Sequence, residues 1–374
     1  MSGCHQGSSV ATAVCRSRIG AMPTYSAVDL FAGAGGATRG LRDAGFRMLA
    51  AVENDQEAAE TYRRNHPRVR LFAQDIRTIE PQEMLTAAQL DEGGLDLLKA
   101  CPPCQGFSSL AKGAVDERRN DLVLDTFRFV ESLRPRIVLL ENVPGLARDR
   151  RLPELDRMLT DSGYRLRTGV LDAAMFGVPQ RRKRFICFAV REDVSFSFDG
   201  HLIDLLPSSF QTAPRTARQA LAHLARHRRS DDPLNVHRSS SATVQARIAA
   251  IPVGGNRFDL PEEHQLDCHK RLASARNASS SYGRVKLDEP APTMTTRCTT
   301  PACGTFIHPT LDRGLTLREA AAFQTFPVTY QFHGHYGSIE RQIGNAVPVR
   351  MAKGLGLIAS TILSGQDRDA ITTR

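Results

Sequence analysis

The sequence predicts an α/β protein: a doubly wound, Rossmann-like sheet with a second, smaller, irregular lobe that contains β-structure. Three observations carry that expectation. The β-rich run YSAVDLF (25–31) passes through a glycine cluster into a helical segment, AGAGGATRGLRDAG (32–45), which is how a doubly wound sheet begins. Short apolar runs recur after it, with helical segments between them. Several of these runs lead into a residue capable of chemistry, namely Glu53, Asp75, Cys104 and Glu141, and open α/β sheets bind ligands at the carboxyl ends of their strands. One acid at a strand end is an ordinary solvated terminus. Four reactive residues in such places point to a site.

In chain order, residues 1–24 are rich in Ser, Gly and Ala without periodicity and read as a flexible leader, with Met22 an alternative start. Gly33, Gly35 and Gly36 let the backbone turn tightly and approach a ligand closely. Their GxGG spacing departs from the dinucleotide fingerprint GxGxxG, which weakens a pyrophosphate reading. RMLAAVEND (47–55) is the second strand, and Glu53 is placed to take both hydroxyls of a ribose. VRLFAQDI (69–76), LDLLKA (95–100) and IVLLENV (137–143) are the third to fifth, and RFICFAV (184–190) is a later one. Helical segments fall at 55–66, 120–133, 151–162 and 348–362. The cofactor-binding domain is thus expected to be discontinuous, built from 25–190 and 341–374 around a smaller domain at 191–340.

The 374 residues carry 49 Lys and Arg against 40 Asp and Glu, a net charge of +9 and a pI near 9.4. Such a balance favours a polyanionic partner such as nucleic acid. The apolar runs fall short of the ~20 residues that span a bilayer, and no membrane partner is expected. Eight cysteines scattered through a long chain do not form a secreted disulfide framework, so a reducing, cytoplasmic compartment is expected.

The stretch LKACPPCQGFSSLAKG (98–113) admits three readings. A redox CxxC normally starts a helix, whereas Pro102 and Pro103 stiffen the chain and remove two donors. A zinc site needs a second ligand pair, and Cys268-His269 or Cys298 with Cys303 make no strong pattern; His237, His264 and His269 show no ligand spacing. No metal is expected. The third reading is a nucleophile, Cys104, with Cys101 packed beneath it. A thiolate added to C6 of cytosine makes C5 nucleophilic enough to take a methyl group. The charge that develops then needs an acid at ring N3, and Glu141, protonated at that moment, is the candidate.

These residues lie in motifs that resemble, in the same order, those of the bacterial-type DNA (cytosine-5-)-methyltransferase family. DLFAGAGG (29–36) matches its cofactor loop, PPCQGFS (102–108) its nucleophile motif, ENV (141–143) its acid motif and QRRKR (180–184) its QxRxR motif. EPAPTMTT (289–296), LTLREAAAFQTFP (315–327) and QIGNAVP (342–348) complete the set. The resemblance implies a methyltransferase sheet that binds S-adenosyl-L-methionine and releases S-adenosyl-L-homocysteine. Phe31 would stack on the adenine, Glu53 with Asn54 would hold the ribose, and Asp75 and Ile76 would meet the base edge. Ala32, Gly33, Gly35, Gly36, Pro102, Asn345 and Val347 would border the rest of the cofactor. Cys104 and Glu141 would be catalytic, with Arg182 and Arg184 anchoring a flipped base and its phosphate. Gln105, Ser108 and the loop 105–119 would close over the DNA, and Gln180 and Thr293 would support the site.

From about 191 to 285 the composition turns to Ser, Pro, His and Arg and the periodicity fades. In the family this segment is the target recognition domain. Arg238, Asn256, Arg257 and Arg276 are candidate base readers, with phosphate contacts equally open to them. Double-stranded DNA is the expected partner, and a separately encoded restriction endonuclease acting on the same sequence is a further one. The protein is expected to be a monomer associated with the bacterial nucleoid when bound. The alternatives are a tRNA cytosine-5 methyltransferase on the same scaffold, a catalytically inactive DNA-binding regulator and, less favoured, a nicotinamide-dependent oxidoreductase.

Overall fold

The computed structural model describes residues 24–103, 121–196, 199–210, 212–227, 229–270 and 279–365. Its centre is a seven-stranded sheet in the order β3-β2-β1-β4-β5-β7-β6. The strands are β1 (Ser26–Leu30), β2 (Arg47–Val52), β3 (Arg70–Phe72), β4 (Leu97–Ala100), β5 (Ile137–Asn142), β6 (Tyr164–Asp172) and β7 (Lys183–Arg191). The first five pair in parallel, whereas β7 runs antiparallel to both β5 and β6. In the sequence β1 and β4 are separated by two strands, yet they are neighbours in the sheet. The strand order therefore reverses between them, and a crevice opens at their carboxyl ends.

Helices cover both faces. α1 (Gly36–Asp43), α2 (Gln56–Asn65), α3 (Pro81–Ala88), α4 (Leu122–Leu133) and α5 (Arg151–Asp161) alternate with the strands. Asp55 caps α2 by accepting from the Glu57 and Ala58 amides, which satisfies two of the donors a helix start leaves open. Leu122, Val123, Phe129, Val130 and Leu133 form the buried stripe of α4 against the sheet, as the 3.6-residue period requires. The expected strand at 69–76 is shorter, because Asp75 turns the chain into a single 3-10 turn over Ile76–Thr78.

After β7 the chain carries α6 (Ala217–His227), α7 (Ala242–Ala250), α8 (Leu317–Phe323), α9 (Tyr336–Asn345) and α10 (Val349–Leu363), with several 3-10 turns. The expected β-structure in this part is reduced, among the described residues, to isolated bridges: Gln180 with Ala291, Arg284 with Ile307, and Ile307 with Gly314. Arg284 replaces ladder bonds here. Its buried guanidinium donates to the carbonyls of Ile248, Ile251, His308 and Leu311. The expected boundary between 340 and 341 falls inside α9.

α10 returns to the sheet, packing Met351, Leu355, Ile358 and Ile362 with Leu41 of α1 and Phe188 of β7. The stretch Tyr336–Leu363 has the length and mean hydropathy, 1.3, of a membrane-crossing helix, but it is mostly buried inside the protein. It is a core element.

Beneath the crevice lies a buried ion pair. Lys99 Nζ stands 2.8 Å from Asp29 Oδ1, in directly paired positions of β4 and β1. Thr38 Oγ1 donates to the other Asp29 oxygen at 2.6 Å and lies 3.0 Å from the Tyr62 hydroxyl. Burial, the largest influence, would push the Lys99 ammonium down, but Asp29 together with the neighbouring Cys101 and Glu141 outweighs it and holds it above its ordinary value. Removing one partner of such a pair leaves an uncompensated buried charge. Lys99→Met is therefore expected to cost about 3–5 kcal/mol in urea unfolding, and Asp29→Asn combined with Lys99→Met to recover at least half of it. A loss below about 1 kcal/mol for the single variant would show that the pair holds nothing.

Candidate active site

The site grows from the carboxyl ends of β1, β2, β4 and β5. β1 leaves the sheet through Phe31, which takes a left-handed conformation at φ 57, uncommon for a bulky residue. Gly33 follows at φ 56 with nothing within 4 Å of the place a Cβ would occupy, so its backbone faces open space. α1 starts immediately after this turn with no side-chain cap and no acid in its first turn. Its free amides suit an anionic or electron-rich group.

Glu53 closes the loop from β2. Its Oε2 accepts from the Gly33 amide at 2.7 Å and its Oε1 from the Asp55 amide at 2.8 Å. Burial raises the Glu53 pKa, and the two amide bonds offset part of that rise. Asn54 beside it is exposed. Asp75 caps the turn after β3 and is held by the Arg77 guanidinium, which keeps its carboxyl below the ordinary range. Ile76 is buried under that turn. On the opposite wall, Val347 is buried and its carbonyl lies where a Cβ on Gly36 would come within 2.8 Å, while Asn345 is exposed at the end of α9.

β4 ends in Cys101 and Pro102. The Pro102 carbonyl accepts from Asn142 Nδ2 at 3.2 Å, which ties the start of this loop to the end of β5. Glu141 is buried between two donors. Arg184 Nε of β7 stands 2.9 Å from its Oε1, and Cys101 Sγ contacts its Oε2. The carboxyl plane is thereby fixed. Cys104, Gln105, Ser108 and the loop 105–119 lie outside the described residues, as do Arg276 and the leader 1–23.

The QRRKR segment divides by role. Gln180 and Arg182 are buried. Gln180 Nε2 donates to Gln324 Oε1 and the Phe323 carbonyl, and its Oε1 accepts from the Met294 amide. The Arg182 guanidinium donates to the carbonyls of Met294 at 2.7 Å and Gly344 at 2.9 Å, so it clamps backbone where base contact was expected. Thr293 Oγ1 donates to the Arg181 carbonyl. Only Arg184 turns toward Glu141.

The expected base readers are scattered. Arg238 is exposed with its guanidinium over the Tyr336 ring. Arg257 is buried with its guanidinium over the Phe258 ring. Asn256 caps a 3-10 turn with Oδ1 on the Phe258 amide and lines a cleft of about 230 Å³ together with Arg181 and Lys286. Two residues escape sequence reasoning. Arg181 lies in the QRRKR motif without a role of its own, and Lys99 sits unmarked in an apolar strand. A cation inside a buried strand was the one signal available for Lys99. Among the described residues no three His, Cys, Asp or Glu side chains converge as metal ligands.

The fold and site define an α/β protein whose reactive groups gather at a topological switch point. Comparison with known proteins makes the class definite. Residues 25–358 match the model of the C-5 cytosine-specific DNA methylase family, and the chain belongs to that family of methyltransferases. It is 32% identical over 351 residues to the Type II methylase M.HgiDII of Herpetosiphon aurantiacus, covering 90% of this chain and 96% of that one. It is 33% identical to the Type II methyltransferase M.PspPI of Psychrobacter sp., covering 92% and 81%. Among solved structures, S. pombe Dnmt2 methyltransferase shares the fold, with a TM-score of 0.62 and 19% identity over 91% of this chain and 98% of that one.

Arg182→Leu deletes two buried donors and leaves the Met294 and Gly344 carbonyls unpaired. It is expected to lower unfolding free energy by about 2–4 kcal/mol, measured in urea, which an exposed base-contacting arginine would not do.

Proposed function

We propose that this enzyme transfers a methyl group from S-adenosylmethionine to C5 of a cytosine flipped out of a specific duplex DNA sequence. The observation that carries this reading is the placement of Glu141. It is buried at the end of β5, held by Arg184, and lies against the strand end that leads, three residues on, to Cys104.

The residues present fit the cofactor. The open face of Gly33, the uncapped start of α1 and the Glu53 carboxylate supply a backbone cradle and a ribose acceptor. Bound S-adenosylmethionine supplies the electrophilic methyl group. The Cys104 thiolate forms a bond to C6, Glu141 gives a proton to N3, and C5 becomes the nucleophile that takes the methyl group. Loss of the C5 proton then expels the thiolate, and return of the N3 proton to Glu141 restores the ring, with S-adenosylhomocysteine as the other product. A stacked base is out of reach of a thiol at a strand end, so the cytosine must leave the helix, at a cost of a few kcal/mol.

Residues 191–340 serve in this reading as the target recognition part, and the cleft lined by Arg181, Asn256 and Lys286 supports contact with DNA. The Type II relatives support a modification enzyme; in this reading its partner is an endonuclease cutting the same sequence, and it acts as a monomer in the bacterial cytoplasm.

Base-resolution mapping of 5-methylcytosine on mixed-sequence duplex DNA tests the reading. Methylation confined to one short motif and abolished in Cys104→Ala is expected; absence of 5-methylcytosine from active-site-intact, cofactor-binding protein would overturn it. Glu141→Gln is expected to lower kcat about 10²–10⁴-fold, the usual worth of a positioned acid, with little change in DNA affinity. The charged form of Glu53 is the hydrogen-bond acceptor, and its pKa is raised. Cofactor affinity is thus expected to fall on acidification at a higher pH than an ordinary carboxylate would give. Calorimetry across pH 5–8 checks this, and Glu53→Gln should flatten that dependence.

A further inference from the structure

The glycine turn that opens the site is held from behind by two side chains from distant segments. Tyr330, which follows α8, donates its hydroxyl proton to the Ala34 carbonyl at 2.5 Å. His66, the residue that ends α2, places Nε2 at 3.1 Å from the Gly35 carbonyl and 3.0 Å from the Tyr330 hydroxyl. Both side chains are buried. Two consecutive carbonyls of the turn, at residues 34 and 35, are therefore fixed from outside it.

The hydrogen bonds also assign the tautomer. A phenol has one proton, and here it goes to Ala34, so the Tyr330 oxygen accepts from His66. Nε2 must then carry hydrogen, shared between Tyr330 and the Gly35 carbonyl. Nδ1 is left bare and accepts from Arg42 Nη1 at 3.3 Å. Burial and the neighbouring Arg42 cation lower the His66 pKa to about 4, so this neutral arrangement persists throughout the physiological range. The fit is close. A Cβ on Gly35, itself at φ 86, would come within 2.5 Å of His66 Nε2 and 2.9 Å of the Tyr330 hydroxyl.

We propose that His66 and Tyr330 are positioning residues that set the affinity of this enzyme for S-adenosylmethionine by holding the Ala34–Gly35 turn in its binding shape before the cofactor arrives. The proposal rests on the reading of residues 31–36 as the cofactor loop. A turn already ordered loses less freedom on binding, and affinity rises by what is not lost. The hydrogen bonds of these two side chains to the turn end on its carbonyls, while Glu53 is held by the Gly33 and Asp55 amides, so their influence passes through the backbone.

The test compares wild type, His66→Leu, His66→Gln and Tyr330→Phe by calorimetry with S-adenosylmethionine and by steady-state methylation. His66→Leu and Tyr330→Phe are each expected to raise the cofactor Kd and KM about tenfold, the scale of one or two lost hydrogen bonds. At saturating cofactor kcat should stay within about twofold, with DNA affinity unchanged. His66→Gln offers an N–H close to the Nε2 position and should recover most of the affinity. General damage to the fold would lower kcat and would not be rescued by glutamine. If His66→Leu fails to fold, the nearly isosteric Tyr330→Phe decides alone. Wild-type cofactor affinity in Tyr330→Phe, or equal impairment of His66→Gln and His66→Leu, overturns the proposal. Failure of the wild type itself to bind S-adenosylmethionine is a separate result that overturns the functional reading together with it.

Discussion

The Asp29–Lys99 ion pair is the constraint on which the site depends. It joins β1 to β4 at the point where the strand order reverses, and each strand leaves the sheet within two residues of it, at Phe31 and Cys101. Two buried charges cost desolvation energy that apolar side chains would not. What they add is alignment: the carboxylate also receives Thr38 of α1, and Thr38 meets Tyr62 of α2. The glycine turn and the Cys101–Pro102 strand end are thus referenced to one fixed point. A slip between β1 and β4 would separate Asp29 from Lys99 before it disturbed either loop.

A second set of buried polar contacts joins the sheet to the C-terminal half. Gln180 and Arg182 lie just before or at the start of β7, yet their partners belong to residues 294, 323, 324 and 344. These bonds connect the strand that carries Arg184 to the segment that ends in Asn345 and Val347. The wall beside the glycine turn and the cation on Glu141 are therefore tied together through buried hydrogen bonds. This explains why a stretch as polar as QRRKR alternates between buried and exposed positions, with Gln180 and Arg182 inside and Arg181 and Lys183 outside.

Much of this was legible in the sequence, and the reasons differ by element. β1, β2, β4 and β5 are central strands, so their residues are apolar runs, and the acids and cysteines that follow mark where each one leaves the sheet. β6 was not legible: it is an edge strand, paired only with β7, and its exposed Arg165, Arg167 and Thr168 blur any alternation. α3 was missed for a related reason, since only Pro81 and Met84 of its eight residues are buried. In the site, Glu53 and Glu141 could be read because a strand end gives an acid few other duties. Arg182 could not, because a charge run carries no sign of which guanidinium folds inward onto carbonyls, and neither could Arg257, whose burial against Phe258 has no mark in the surrounding GGNRF.

The position of α10 has a consequence for how the chain matures. α1, which begins at Gly36, buries Leu41 against Met351 and Leu355 of α10, across nearly the whole described length of the chain. During synthesis the early strands emerge long before their covering helix exists. One apolar face of the central sheet must wait, open to water, until the last described element is released. Closure across so long a separation is entropically slow, and an exposed sheet face invites association with other chains in the interval. The same arrangement keeps the wall at Val347 from forming early, so a partly made chain has only one side of the crevice at the strand ends.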